Sequence, residues 1–274
     1  MKIATYNVNS INARLEGLCR WLKTEQPDIV LLQEIKTEFN TFPFFEINAV
    51  GYDAKILGQK SYNGVAVLSP HKMTIIQENL PDFEDENARW LEVMVNIEKK
   101  DIRVVSLYLP NGNPPYNNPT DNSKLTYKLA WMDAFIKHTA NLLHQPEPVI
   151  LGGDYNIILT DDDVYNPALF KGGALYRPEV TDRLQSLLYQ GWFDAFRLGQ
   201  SREKTLSTKT ENGYTYWDYG GGAFHSDLGL RIDYLLLSPK AADKMEKCWV
   251  DKTPRQSEKP SDHTALMAEL NWGK

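Results

Sequence analysis

The chain has 274 residues, 42% hydrophobic and 24% charged, the balance of an ordinary soluble globule long enough to bury a sizeable core, and this excludes a disordered protein. A formal net charge of −6 argues against a protein that coats nucleic acid through bulk charge, yet leaves room for an enzyme with a local basic face. Cys19 and Cys248 are far apart and lack metal-ligand spacing, so neither a disulfide framework nor a zinc site is expected.

KIATYNV (2–8) reads as a first strand. The opening MKIATYNVNS carries no apolar leader-type run, and no later stretch approaches the ~18 apolar residues of a membrane span, so a soluble cytoplasmic protein with no membrane partner is expected. Residues 11–24 place Ile11, Leu15, Leu18, Trp21 and Leu22 on one helical face, with Ser10 as the N-cap. Strands follow at DIVLLQE (28–34), GVAVLS (64–69), WLEVMVNI (90–97) and IRVVSLYLP (102–110); the run 90–97 alternates between two faces, as a strand does. Connections within 52–109 are too short for helical crossovers and imply antiparallel hairpins. PNGNPPYNNPTDNS (110–123) is a long surface loop, 122–144 a helix, PVILGGDYN (148–156) a strand, and 178–190 a helix entered through Pro178. The strands IDYLLLS (232–238) and TALMAELNW (264–272) complete the chain. Strand–helix–strand units mixed with hairpins predict an α+β architecture, a mixed sheet or pair of sheets with helices outside, in a single domain over 1–274. No heptad seam calls for a dimer, so a monomer is expected.

Polar residues gather at the strand ends. Asn7 and Glu34 close the first two strands, Tyr108 and Asn111 close 102–110, and Asp154 and Asn156 close 148–156; Asp233 opens the strand at 232, and Asp262 and His263 precede the last. If the last two strands run antiparallel to the earlier ones, all these side chains meet at one sheet edge. An oxygen-rich, cysteine-free set suits a hard cation such as Mg²⁺, which takes one or two carboxylates and leaves its other positions to water and phosphate. In this reading Glu34 is the best single ligand, and Asp154 with Asn156 orients or deprotonates a water. Asn7, Tyr108, Asn111 and His263 donate to phosphate oxygens, and Asp233 holds His263 as a cation. That is metal-assisted phosphodiester hydrolysis. Singly, each residue also has an ordinary role: Asp154, Asp262, Asn7, Asn9 and Asn111 as turn or cap residues, His263 as a hydrogen-bonded histidine. The acidic run Asp161, Asp162, Asp163 is expected in a solvated loop.

The motifs TYNVNSINAR (5–14), PDIVLLQEIK (27–36), GQKSYNGVAVLS (58–69), LGGDYNI (151–157), GLRIDYLLLSP (229–239) and KPSDHTALMAEL (259–270) resemble, in order and spacing, the exonuclease III family of abasic-site endonucleases, within the endonuclease/exonuclease/phosphatase superfamily. The resemblance implies a four-layer α/β-sandwich, two mixed sheets packed face to face with helices outside. It implies Glu34 as the principal Mg²⁺ ligand, with Mn²⁺ as a substitute, assisted by Asn7 and with Asp262 as a second metal contact. Tyr108 lies near the scissile phosphate, Asp154 and Asn156 handle the water and phosphate, and Asp233 supports His263. It further implies that duplex DNA with abasic sites or 3′ ends is the partner, and that Tyr216, Trp217, Leu230 and Ile232 form an apolar pocket for a flipped abasic sugar. The ordinary alternative for Trp217 and Ile232 is the core. DNA contacts are expected from Asn9, Asn111 and loop cations: Arg89, Lys171, Arg177, Arg202, Lys204, Lys209 and Arg255. The expected activity is incision 5′ to an abasic site with trimming of 3′ ends. The alternatives are a same-fold phosphodiesterase or phosphatase on lipid or inositol phosphates, and a noncatalytic DNA-binding or scaffold member.

Overall fold

The computed structural model describes residues 1–203 and 212–273. Its strands are β1 (Lys2–Asn7), β2 (Ile29–Gln33), β3 (Asp53–Leu57), β4 (Val65–Ser69), β5 (Lys72–Glu78), β6 (Trp90–Ile97), β7 (Lys100–Tyr108), β8 (Val149–Asp154), β9 (Phe193–Asp194), β10 (Asp233–Leu237), β11 (Met245–Asp251) and β12 (Ala265–Leu270). Helices are α1 (Ile11–Glu25), α2 (Phe44–Ala49), α3 (Ser123–Leu142), α4 (Pro178–Tyr189), α5 (Ala195–Glu203) and α6 (Pro239–Ala242). They build two mixed six-stranded sheets, β11-β12-β1-β2-β4-β3 and β5-β6-β7-β8-β10-β9.

Alternation along each strand sets the layers. Ile3, Ile29, Leu31, Val65 and Val67 of the first sheet meet Val93, Val95, Val104, Ile150 and Leu235 of the second in the central core. The opposite faces are covered by helices. Ala4, Tyr6, Val30 and Leu32 pack on Ile11, Leu18 and Leu22 of α1, while Trp90, Val105, Leu107 and Leu151 pack on Trp131 and Phe135 of α3 and Leu184 of α4. Each such buried aliphatic or aromatic side chain contributes ~1.5–3 kcal/mol relative to exposure. Gly152 and Gly153 let β8 sit in this crowd: a Cβ at Gly152 would fall 2.4 Å from Leu31 Cδ1 across the sandwich, and one at Gly153 2.0 Å from the Leu107 carbonyl.

The expected strands and the three long helices are present, and the last two strands run antiparallel to their earlier neighbours: β12 pairs with β1, and β10 with β8. The region 52–109 folds into hairpins, as expected. Strands β3, β5 and β11 go beyond the sequence pattern. They lie toward sheet edges with many exposed positions, where apolar alternation is weak. Ser10 stands at the N-cap of α1 but its side chain makes no capping bond, and its φ of 86° is left-handed. The N-terminus of α1 is instead tied to the second strand's exit, with Ser10 N donating to the Glu34 carbonyl (2.7 Å) and Ile11 N to the Ile35 carbonyl (3.1 Å).

In the acidic run at 161–163, Asp161 and Asp162 are exposed as expected, but Asp163 departs from expectation. Asp163 is fully buried, accepting from Arg231 Nε (2.7 Å) and from Arg197, while Arg231 Nη1 donates to Asp194 Oδ2 (2.7 Å). A loop residue that neutralises a fully buried arginine cannot be a solvated one, since removing one partner of a buried pair costs about 3–5 kcal/mol.

Candidate active site

The strand ends do meet. β7 and β8 are parallel, so Tyr108 stands beside Asp154; β10 is antiparallel to β8, so Asp233 stands on its other side. On the facing sheet β1 and β2 are parallel, pairing Asn7 with Gln33 and delivering Glu34 one residue further on. One amide joins the two sheets: Asn7 Nδ2 donates to Glu34 Oε1 (2.8 Å) and to Asp154 Oδ2 (2.9 Å). Below it Gln33 Nε2 donates to Ser106 Oγ (3.1 Å), whose hydroxyl donates to the Leu32 carbonyl (2.8 Å), so the inter-sheet layer turns polar just under the site.

Several of these residues occupy left-handed backbone: Asn9 (φ 43°), Glu34 (φ 49°) and Asn156 (φ 50°). The conformation is uncommon for residues with a Cβ and is held here by surrounding bonds. Val8 N and Ile35 N donate to the carbonyls of Gln33 (3.0 Å) and Gly64 (3.2 Å). Asn156 N donates to Asp154 Oδ1 (2.9 Å), and Asn156 Nδ2 to the Leu109 carbonyl (2.9 Å). The chain turns sharply at each strand exit and aims a polar side chain back across the mouth of the sandwich.

His263 is buried, with Nδ1 donating to Asp233 Oδ2 (2.8 Å) and Nε2 3.6 Å from Asp154 Oδ2. Burial alone would lower its pKa, but the carboxylates of Asp233 and Asp154 outweigh it and raise the imidazole to about 10, so the ring is cationic at neutral pH. Asp154 is pushed up to about 7 by burial, opposed by His263 and reinforced by the charges of Asp233 and Glu34. Glu34 goes the other way: burial would raise it, but hydrogen bonds from Asn7 and Lys36 and the Lys36 charge lower it. Tyr108 stays protonated, raised by burial and by the charges of Glu34 and Asp154, with its hydroxyl bonded to Glu34.

A hard cation fits this donor set. Glu34 and Asp154 approach one amide and Asp233 stands next to Asp154, so three carboxyl groups share one mouth of the sandwich, with burial and the acidic neighbours together holding Asp154 high. Asp154, Asp233 and His263 also bring ligand atoms within 4.8 Å of one another. Because His263 Nδ1 is already committed to Asp233, carboxylate oxygen, with Glu34 first, is the better donor.

Asp262 lies at the rim, its Oδ1 accepting from Asn9 Nδ2 (3.0 Å), while Asn9 Oδ1 accepts from Lys36 Nζ (2.6 Å). Asn111 is exposed, and its side chain caps a turn by accepting from Asn113 N (3.0 Å). Arg89 places its guanidinium 5.0 Å from the Tyr108 ring centre and 5.8 Å from that of Tyr127. Lys171 and Arg177 are paired with Asp161 (3.0 Å) and Glu179 (2.8 Å). Arg255 bonds the Ser261 carbonyl and lies against Tyr219 and Phe224. Arg202 bonds carbonyls of Ala242 and Met245, at the end of the first sheet opposite to His263, which removes it from the site. Lys204 and Lys209 lie outside the described residues. Of the pocket residues, Tyr216, Leu230 and Ile232 share an apolar cluster with Ile158 and Val164, and the Tyr216 ring lies 5.0 Å from that of His263. Trp217 is fully buried in a separate cluster with Tyr214 and Ala223, its Nε1 donating to Asp227 Oδ1 (3.2 Å).

Sequence reasoning missed four participants. Thr215 Oγ1 donates to the same Asp233 oxygen that holds His263 (2.6 Å). Ser261 Oγ donates to the Asn7 carbonyl (2.7 Å) and accepts from His263 N (3.2 Å). Lys36 pairs with Glu34 Oε2 (2.8 Å). Lys128, with no exposed surface, begins the buried stripe of α3. Only the last left a usable signal, a lysine in register with Trp131, Met132 and Phe135.

Residues 4–263 match the Endonuclease/Exonuclease/phosphatase family, and the chain belongs to it. Within the family it is an enzyme of the exodeoxyribonuclease III and AP endonuclease type. Exodeoxyribonuclease III of Haemophilus influenzae is 28% identical over 277 residues, covering 98% of this chain and 100% of that protein. The 3′ phosphatase NExo from Neisseria, bound to product DNA hairpin, superimposes with a TM-score of 0.88 at 32% identity, covering 99% of this chain and 100% of that one. An AP endonuclease from Archaeoglobus fulgidus superimposes at 0.87 and 30% identity, with the same coverage. No helix among the described residues is long and apolar enough to cross a membrane.

Proposed function

We propose that the protein, acting as one unit over residues 1–274 and as a cytoplasmic monomer, is a Mg²⁺-dependent DNA repair nuclease. It hydrolyses the phosphodiester 5′ to an abasic site and trims 3′ ends of duplex DNA. The observation that carries the reading is the Asn7 amide, which brings Glu34 of one sheet and Asp154 of the other to a common point beside a histidine held by Asp233. The relatives named as exodeoxyribonuclease III, as AP endonuclease and as a 3′ phosphatase bound to a DNA hairpin support the choice of DNA.

In this account Glu34, with Asn7 and Asp262 assisting, would hold Mg²⁺, for which Mn²⁺ could substitute. The bound ion would supply charge neutralisation at a phosphoryl oxygen. Asp154, whose carboxyl titrates at about 7, takes the proton of the attacking water, and the Asn156 N–H fixes its Oδ1. His263, kept cationic by Asp233, donates through Nε2 to a non-bridging oxygen as negative charge builds. Tyr108, still protonated, donates beside it. Tyr216, Leu230 and Ile232 line the apolar pocket for the extruded sugar, while Trp217, fully buried in its own cluster, takes the core role. Arg89, Lys171, Arg177, Asn9 and Asn111 contact the DNA backbone, the two rim cations after exchanging Asp161 and Glu179 for phosphate.

The test is cleavage of labelled duplexes, one carrying an abasic-site analogue and one a recessed 3′ end, with Mg²⁺ or with a chelator. Mg²⁺-dependent incision at the analogue, with shortening of the recessed end, is the expected result. Resistance of both duplexes together with hydrolysis of a lipid or inositol phosphate would overturn the reading.

A further inference from the structure

Lys128 is a charged residue placed where the helix pattern calls for an apolar one. Its Nζ donates to three main-chain carbonyls, those of Asn156 (2.8 Å), Ala174 (2.9 Å) and Asn111 (3.2 Å), so all three ammonium protons are used. Burial lowers its pKa to about 7 against the pull of the Asp154 charge, and three carbonyl acceptors favour the ammonium form. These carbonyls belong to three separate connections: the loop leaving β7, the loop leaving β8, and the turn that leads into α4. The packing is close around the stem as well, since Gly112 is left-handed (φ +77°) and a Cβ there would lie 2.8 Å from Lys128 Cδ.

One of the three loops carries the proposed chemistry. Asn156 receives Lys128 on its carbonyl while its own N–H donates to Asp154 Oδ1 (2.9 Å), so a single residue links the ammonium to the carboxylate. Its side chain ties the same turn to the Leu109 carbonyl (2.9 Å), two residues before Asn111. Without the ammonium, three carbonyls would lose a donor at once, and the left-handed Asn156 would lose one of the bonds that hold it.

We propose that Lys128 is a positioning residue for the phosphodiester hydrolysis described above, gripping the three loops so that Asn156 holds the Asp154 carboxylate in its working orientation. The proposal rests on that functional reading. A lysine that served stability alone would leave the rate per bound substrate unchanged in whatever fraction stays folded.

Lys128→Met and Lys128→Gln, compared with wild type on the abasic-analogue duplex, separate the two roles. Folding is followed by thermal unfolding, and kcat and KM are determined for the folded protein. For Lys128→Met the expectation is a fall in kcat of about 30-fold with KM within about threefold of wild type, unrelieved by extra Mg²⁺. Lys128→Gln keeps two donors and is expected to lose only about fivefold. A folded Lys128→Met with wild-type kcat, or a loss confined to KM, overturns the proposal. If the methionine variant does not fold, the glutamine variant decides: reduced kcat at unchanged KM supports positioning, and wild-type kcat refutes it. A wild-type protein that cuts no duplex refutes the functional reading first, and this proposal with it.

Discussion

Asp233→Asn removes a single charge from the centre of the site while leaving its shape nearly intact. In the native structure one oxygen, Asp233 Oδ2, accepts from both Thr215 Oγ1 (2.6 Å) and His263 Nδ1 (2.8 Å), so an asparagine oxygen can keep both bonds. What it cannot keep is the charge. Two unit charges about 4 Å apart interact by about 4 kcal/mol at the effective dielectric suited to such sites. At about 1.4 kcal/mol per pKa unit this is about 3 units. The His263 imidazole should therefore fall from about 10 to roughly 7, with Asp154 still facing its other nitrogen. The sign follows: a histidine needed as a cation supports activity below its pKa and loses it as pH rises through that value. The variant should approach wild-type turnover near about pH 6 and fall about 30-fold behind it near pH 8.5, where only ~3% of its His263 stays charged. Parallel readouts are the pH profile of cleavage and an NMR titration of the His263 ring. A ratio of variant to wild-type rates that does not change with pH, or a His263 midpoint still near 10, would refute the reasoning.

Three further outcomes follow from the geometry. Glu34→Gln should shift the Mg²⁺ requirement to higher concentration, with activity partly restored by added metal; a loss indifferent to Mg²⁺ would give Glu34 another role. Asp154 must be ionised to accept a proton, and burial with its acidic neighbours raises it to about 7, so kcat/KM should rise with pH through a limb at or below that value. Raising Mg²⁺ should move the limb lower, and movement to higher pH would contradict the assignment. Gly153→Ala forces a methyl to within 2.0 Å of the Leu107 carbonyl and should lower stability by about 1–3 kcal/mol in chemical denaturation, while an unchanged midpoint would mean that β7 and β8 can separate freely.

Much of the site was legible because its residues sit where strands end, and strand ends can be read from apolar runs. Glu34 after IVLLQ and Asp154 after VILGG are acids at the mouths of core strands, and once β10 and β12 are taken as antiparallel their leading residues must arrive at the same edge. Side-chain hydrogen bonds between segments far apart in the chain were not legible. Thr215 reaches Asp233 from 18 positions away in the chain, and Ser261 reaches Asn7 from 254, with nothing in local composition to mark either. Asp163 was misread for a related reason: an acidic run looks solvated until its partner, Arg231, is known to be buried. The strands β3, β5 and β11 escaped notice because a half-exposed edge need not alternate. Lys128 could have been noticed, since a lysine in phase with three large apolar residues of one helix must find acceptors inside.

The central claim is that these converged strand ends form one hydrolytic site in which Asp154 activates water. The most direct measurement is single-turnover cleavage of the abasic-analogue duplex by Asp154→Ala in saturating Mg²⁺, with duplex affinity determined alongside. The expected result is a rate lower by about three orders of magnitude or more at nearly unchanged affinity. Cleavage at the wild-type rate would contradict it.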